Sequence, residues 1–175
     1  ISVDNKEQLR TVVRKIVAYE NQRPGGIWHR RVNLVAGGGG FGPLTDAIIE
    51  ATSKRLITDG IPPEYDTSMT YGSWRSPYCP SPLDFHATAV GRLNEGCLFW
   101  VYIGHGRLTS LERLKVPGDD MPILEADDLV DLRCYQRFPI AVLLACYAGA
   151  YDHLEWVSGN EYRGWLDGNV SECHY

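Results

Sequence analysis

Two residues with reactive side chains, a histidine and a cysteine, each follow a short apolar run of the sequence. The run 97–103 leads to His105, and the run 140–144 leads to Cys146. Both runs have strand length, contain aromatic or β-branched residues and lack polar alternation, as strands covered on both faces do. In an open parallel sheet, functional groups collect beyond the carboxyl ends of the strands. Neighbouring strands would therefore place an imidazole beside a thiol, which is the arrangement of a Cys–His nucleophilic site.

The chemistry of such a pair depends on ionisation of the thiol. A free cysteine, with a pKa of about 8.5, is only slightly ionised at neutral pH. A neighbouring imidazole can take its proton, and the thiolate can then attack a carbonyl carbon if N–H donors stabilise the developing oxyanion. Glycines precede and follow His105 in the sequence. They would let the backbone of a substrate approach closely.

The composition is that of an ordinary globular domain. The chain has 175 residues, of which 44% are hydrophobic and 22% charged, so it is long enough to bury one core. Its net charge of -5 argues against nucleic acid as the main partner. No apolar stretch approaches the roughly 20 residues of a membrane helix. Because the sequence starts at Ile1 with neither an initiator methionine nor a secretory apolar segment, we expect it to be part of a longer polypeptide.

The five cysteines are scattered and include no C-x-x-C pair, so neither a disulfide framework nor a zinc ribbon is expected. Cys97 and Cys134 are predicted to be buried thiols that pack as small hydrophobic residues. The remaining histidines lack the spacing of metal ligands, and no metal or other cofactor is predicted. Acidic residues near position 120 and at 127–128 favour a solvated loop and a helix cap over a calcium site.

The elements that must position His105 and Cys146 alternate between helix and strand. Helical spacing predicts a first helix over 6–20, and the sequence then contains strands and helices in alternation, joined by connections long enough for parallel pairing. The predicted strands cover 31–36, 64–74, 97–103 and 140–144; the later helices cover 44–56, 83–93 and 125–135, with a polar loop over 107–121. We expect a three-layer α/β sandwich whose sheet is mostly parallel with strand order 2-1-3-4.

A glycine-rich loop, 37–42, follows the first strand and precedes the second helix. It formally matches a dinucleotide-binding fingerprint, although a run of glycines meets that pattern easily, and a nucleotide-binding protein stays as a minor alternative. Topology instead predicts that the loop borders the same crevice as His105. Asp46, in the first turn of the following helix, would then orient His105 or line a pocket for a basic side chain. A simple favourable charge at the helix N-terminus is the competing interpretation.

These motifs together resemble the gingipain family of cysteine peptidases, within the caspase-like clan, over about residues 1–152. His-Gly after one strand and Ala-Cys after the next are the most specific parts of the resemblance. The matching segments are Lys15-Ile16 to Tyr19-Glu20, Trp28, the loop Gly37 to Gly42 with Phe41, Leu44 and Asp46, Tyr102-Ile103-Gly104-His105-Gly106, and Ala145-Cys146-Tyr147-Ala148-Gly149-Ala150-Tyr151-Asp152.

The resemblance implies a caspase-like peptidase domain that hydrolyses peptide bonds of protein or peptide substrates through a thioester acyl-enzyme. His105 would be the general base and Cys146 the nucleophile, and the backbone N–H groups of Gly106 and Cys146 would form the oxyanion hole. Family analogy also implies a location at the cell envelope or outside the cell.

Residues 153–175 depart from the family pattern and are predicted to form an irregular C-terminal tail after a partial peptidase domain at 1–152. The family continues beyond the nucleophile with a helix and strands that complete the sheet. Truncation of the sheet after the Cys146 strand is therefore kept as an alternative. For this reason two functions are carried forward: a cysteine endopeptidase, and a catalytically silent caspase-like domain that acts as a binding or scaffold module.

Overall fold

The computed structural model describes most of the chain up to Ala148 and two short segments beyond it. The described residues are 3, 5–22, 25–39, 42–73, 76–79, 81–107, 109–116, 119–134, 137–148, 156–157 and 160–161.

Three α-helices and eight strands make up the described structure, together with short 3-10 helices and a π-helical turn, Leu56–Gly60, that continues from α2. The helices are α1 (Lys6–Glu20), α2 (Pro43–Arg55) and α3 (Phe85–Glu95). The strands are β1 (Arg31–Ala36), β2 (Asp66–Tyr71), β3 (Phe99–Ile103), β4 (Arg113–Val116), β5 (Asp119–Pro122), β6 (Ile140–Leu144), β7 (Trp156–Val157) and β8 (Asn160–Glu161).

Local sequence accounts for the helix boundaries. Asn5 caps α1, because its side-chain oxygen accepts hydrogen bonds from the backbone N–H groups of Glu7 and Gln8. Pro43 opens α2 in the first helical turn, where its missing N–H costs nothing. At the end of α3, Gly96 takes a φ of 80°, a conformation that glycine adopts without penalty.

Four strands form the central sheet in the order β2-β1-β3-β6, and every neighbouring pair is parallel. This is the predicted order 2-1-3-4, because β6 is the fourth strand of the central sheet along the chain. Side chains alternate between the two faces of the sheet. Trp100 shares one groove with residues of α1 and α3, whereas Val101 and Ile103 face a cavity walled by α2. The sheet therefore lies between helices on both sides, and the predicted three-layer α/β sandwich is confirmed.

The core lies mainly on the α3 side of the sheet. Phe85 and Leu93 of α3 pack with Trp100 and Tyr102 of β3, and these four residues are at most 4% exposed. Removing an aromatic side chain of this size from water contributes on the order of 1.5–3 kcal/mol. This packing fixes the height and direction of β3, the strand that leads to His105.

A buried polar cluster ties β1 to β2 and α3. Asn33 on β1 accepts a hydrogen bond from the hydroxyl of Ser68 at 2.6 Å and donates one to the carbonyl oxygen of Arg92 at 3.2 Å. The Arg92 guanidinium in turn donates to the hydroxyl of Thr70. Because these groups are buried with partners, the cluster favours one register of β1 against its neighbours.

Two segments differ from the predictions. The expected polar loop over 107–121 contains the antiparallel hairpin β4–β5, which buries Leu114 and joins the core. The helix expected over 125–135 is a shorter 3-10 helix, Ala126–Asp131, and the backbone turns extended at Leu132. Glu125 and Asp128 cap its start reciprocally, in agreement with the predicted helix cap.

The predicted tail, 153–175, falls almost wholly outside the described residues. Within it, β7 and β8 pair as a short antiparallel hairpin. Among the described residues, no helix has the length and apolar character needed to cross a membrane.

Candidate functional site

The parallel pairing of β3 with β6 brings the residues that follow the two strands, His105 and Cys146, to the same carboxyl edge of the sheet. The last register pair joins Ile103 to Leu144, and the N–H of Gly104 still donates to the carbonyl oxygen of Leu144 at 3.3 Å. His105 and Cys146 each lie two residues beyond that last pair. His105 is half-buried, while Cys146 is exposed to solvent.

The backbone after His105 touches the backbone at Cys146. A Cβ atom at Gly106 would collide with the carbonyl oxygen of Cys146 and lie 3.1 Å from the Ala145 side chain. Only glycine allows this approach. The N–H groups of Gly106 and Cys146 form no hydrogen bond to another described residue, and they belong to two backbone segments that are in contact.

Tyr147, directly after the cysteine, has a positive φ of 60°. This is the left-handed region, which is unfavourable for a non-glycine residue by about 1–2 kcal/mol. Strain of this kind is often found beside functional groups, where it aims a neighbouring side chain. Here it turns the chain sharply after Cys146 and leaves the thiol at the tip of the strand.

The Tyr102 hydroxyl and the Glu112 carboxylate hold the backbone of His105 by hydrogen bonds. The Tyr102 hydroxyl donates to the carbonyl oxygen of His105 at 2.7 Å and accepts the N–H of Glu112 at 3.3 Å. The N–H of His105 in turn donates to the Glu112 carboxylate at 3.4 Å. Burial raises the pKa of Tyr102 above its usual range, so its hydroxyl stays protonated as a donor.

Burial also raises the pKa of the Glu112 carboxyl, while hydrogen bonds from the backbone of His105 and Gly38 and the nearby imidazole of His105 act in the opposite direction. The carboxylate of Asp46 raises it further. Four elements thus face this carboxyl: the loop after β1, the first turn of α2, the end of β3 and the start of β4.

Asp46 lies in the first turn of α2, directly after the glycine-rich loop and at the same edge of the sheet as His105. Its carboxylate packs against Gly39, where a Cβ atom would come within 3.0 Å of it. It shares a small cavity with Tyr71 and Gly104, the residue that precedes His105. The phosphate groups of a nucleotide bound at this loop would lie close to the carboxylates of Asp46 and Glu112. Repulsion between these negative charges disfavours the nucleotide-binding alternative. Gly40 and Phe41 of the loop lie outside the described residues.

The other described cysteines have a different environment. Cys97 and Cys134 are 0% and 1% exposed, which confirms the prediction that they are buried thiols. Burial raises the pKa of Cys97 to about 11, so this thiol is not ionised at neutral pH. Cys79 is half-buried and burial raises its pKa as well. Cys146 is the exposed thiol of the described set.

The acidic residues considered for calcium are used in other ways. Asp120 pairs with Arg113 at 3.3 Å, and Asp128 contacts His86 at 3.2 Å in addition to its capping role. In the described ranges, no cluster of three or more histidine, cysteine or acidic side chains has a geometry that could hold a metal ion.

The sequence analysis did not identify Glu112 and Tyr102 as site residues. Glu112 belongs to a segment predicted as a polar loop, where one more acidic residue carries no signal. Tyr102 belongs to an apolar strand and to the motif that carries the resemblance, and neither pattern gives its hydroxyl a role. The usable signal was the need of a buried tyrosine hydroxyl for a hydrogen-bond partner.

Comparison with known proteins identifies the family of the chain. No solved structure and no curated protein gives a significant match to the chain. The family model for peptidase family C25 matches residues 1–164, which extends past the predicted limit at 152 into the tail. The match covers most of the chain and confirms the resemblance seen in its motifs. The chain therefore belongs to peptidase family C25, the gingipain family of cysteine peptidases.

Proposed function

We propose that the protein is a cysteine endopeptidase in which Cys146 is the nucleophile and His105 the general base. One observation carries the proposal: by the register of β3 and β6, His105 and Cys146 each follow two residues beyond the last pair of two adjacent parallel strands. A lone buried thiol or a lone strand-end histidine would have an ordinary structural explanation. The exposed thiol beside a histidine, in a chain of this family, supports catalysis.

The reaction follows from the positions of these groups. His105 takes the proton of the Cys146 thiol, and the thiolate attacks the carbonyl carbon of the scissile peptide bond. The N–H groups of Gly106 and Cys146 donate to the oxyanion of the tetrahedral intermediate. When the C–N bond breaks, the protonated imidazole gives its proton to the leaving amine, and a thioester remains on Cys146.

Water completes the cycle. His105 removes a proton from the water molecule as it attacks the thioester carbonyl, and the collapse of the second tetrahedral intermediate releases the acid and restores the thiol. Asp46 is assigned to orient His105 or to bind a basic side chain of the substrate. Its place beside Gly104, at the edge where His105 stands, supports either role.

The test is covalent labelling with thiol-reactive peptidyl probes that carry Arg, Lys, Asp or Asn next to the reactive group. The modified residue is located by mass spectrometry. We expect one probe to label Cys146 much faster than the other cysteines, and we expect His105→Ala to abolish the difference. His29→Ala is the matched control, because His29 precedes β1 at the opposite edge of the sheet.

The labelling pattern also separates the two functions. Labelling that depends on His105 and on the probe residue supports the peptidase and identifies its specificity. Equal, slow labelling of Cys146 and the half-buried Cys79 with every probe refutes the peptidase proposal. The silent caspase-like module, a binding or scaffold domain, would then be the better description.

A further inference from the structure

Glu112 connects the two loops that border the candidate site. Its carboxylate accepts hydrogen bonds from the N–H of His105, after β3, and from the backbone of Gly38, after β1. A Cβ atom at Gly37 would collide with one carboxylate oxygen, and one at Gly104 would lie 3.2 Å from the same oxygen. The carboxylate thus fills the space that two missing side chains leave at the ends of β1 and β3.

The fold places Glu112 there with little freedom. Directly after His105 the chain folds back, and Gly106 bridges Leu111 in an antiparallel pair. The carbonyl oxygen of Glu112 accepts the N–H of Ile123 at 2.9 Å. Leu111, which precedes Glu112, and Ile123, its hydrogen-bonding partner, are 3% and 0% exposed. The backbone of Glu112 is therefore anchored in the core.

The hairpin itself is braced by one arginine. Arg113 pairs with Glu125 at 2.6 Å and donates to the backbone carbonyl of Asp120 at 2.7 Å. The side chain of Arg113 is therefore fixed outside the site, and the preceding side chain, that of Glu112, is directed toward the site. These contacts stabilise the hairpin without touching His105.

A carboxylate in this position is costly for the fold. Within the described residues, Glu112 forms no ion pair with a lysine or arginine, and burial disfavours its charged form. A glutamine or an apolar side chain would avoid that cost. A half-buried charge without a cationic partner, close to a reactive pair, is the pattern of a functional group.

We propose that Glu112 is a positioning residue of the peptidase site. Its carboxylate holds the backbone of His105 against the glycine-rich loop and thereby fixes the position from which the imidazole extends toward Cys146. The proposal rests on the peptidase function proposed above. Two oxygens are needed, because the N–H groups of His105 and Gly38 arrive from different strands. A glutamine would place its own N–H₂ against one of these donors.

The test compares Glu112→Gln, Glu112→Ala and Glu112→Asp with wild type on the peptide sequence that the probe experiment selects. Because a shift of about 1 Å at a reacting group can cost about 10²-fold, we expect kcat of Glu112→Ala to fall by about that factor with KM nearly unchanged. Glu112→Gln should behave similarly, and Glu112→Asp, which keeps both oxygens, should recover part of the loss. Glu125→Gln is the matched control, because it weakens the same hairpin through Arg113 and leaves His105 untouched.

A second measurement does not depend on activity. Amide hydrogen exchange, followed by NMR, should show faster exchange at His105 and Gly38 in Glu112→Gln, with the β1 and β3 interiors still protected. Unchanged exchange at both amides overturns the proposal. So does a loss confined to KM for substrates with a basic residue, because Glu112 would then bind substrate.

The two proposals fail separately. If wild type neither hydrolyses peptides nor shows His105-dependent labelling, the peptidase function fails, and the exchange experiment still decides whether Glu112 anchors the His105 loop. If wild type is active and Glu112→Ala retains full kcat, the positioning role fails and the peptidase function stands.

Discussion

Replacing Tyr102 with phenylalanine should have a large effect for the loss of one oxygen atom. The tyrosine is 0% exposed, and its hydroxyl serves two backbone groups at once. It donates to the carbonyl oxygen of His105 and accepts the N–H of Glu112. Tyr102→Phe keeps the ring and removes both hydrogen bonds.

The magnitude follows from those two lost partners. A buried backbone group left without a hydrogen bond costs about 1–3 kcal/mol, so the pair should cost about 2–6 kcal/mol. For a protein of this size each kcal/mol lowers the melting temperature by about 2–4 °C, which predicts a fall of about 4–24 °C. The His105 loop also loses an anchor, so probe labelling of Cys146 should slow.

Thermal unfolding followed by circular dichroism measures the first effect. Tyr78→Phe is the matched control, because that ring is 46% exposed and its hydroxyl can reach water. A melting temperature for Tyr102→Phe equal to that of the control would refute the argument, since the hydroxyl could not then be holding two buried backbone groups.

Three further predictions concern ionisation, reactivity and the polar cluster. Because burial raises the pKa of Glu112 above its ordinary 4.5, its contribution to stability is full below that pH and is lost as pH rises through the folded pKa. Urea unfolding should therefore show wild type losing stability relative to Glu112→Gln over that window, and a pH-independent difference would contradict this. Iodoacetamide at neutral pH should modify Cys146 before Cys97, which should react only after unfolding; peptide mapping reads the order, and early Cys97 modification would contradict its burial. Asn33→Ala should lower the unfolding free energy by about 1–3 kcal/mol, because the Ser68 hydroxyl and a backbone carbonyl lose their partner; an unchanged urea midpoint would refute this.

Sequence patterns predicted the sheet well because its signals are local. The α1 boundaries match the predicted 6–20, since an asparagine cap and regular apolar spacing mark them. The strands at 31–36 and 140–144 also match. The strand expected over 64–74 is the shorter Asp66–Tyr71, because aromatic residues on each side extended the apparent pattern.

The hairpin β4–β5 was missed although its sequence carried a signal. Arg113-Leu114-Lys115-Val116 alternates polar and apolar residues, and Pro117-Gly118 follows as a turn dipeptide. The many charged and polar residues of the segment outweighed this pattern in the prediction. The shortened helix at Ala126–Asp131 has a related cause, since three aspartates and Val130 favour helix interiors poorly.

The position of His105 and Cys146 at one edge of the sheet was predictable, because neighbouring parallel strands end at the same edge and each residue closely follows its strand. The contacts of Glu112 were not predictable in the same way. Its carboxylate reaches Gly38, 74 positions earlier in the sequence, only through the hairpin and the sheet together. No spacing rule encodes such a contact.

The place of β6 in the sheet has a consequence for local unfolding. In the described structure β6 pairs with β3 alone, at the edge of the sheet, and Ile140, Val142 and Leu144 are 39–56% exposed. Strands with few buried contacts open at lower free energy than the core. Opening of β6 would carry Cys146 away while Tyr102 and Glu112 keep His105 in place. Cys146 and His105, the proposed nucleophile and base, therefore belong to units of unequal stability, and whatever covers the outer edge of β6 would set how often the two residues are together.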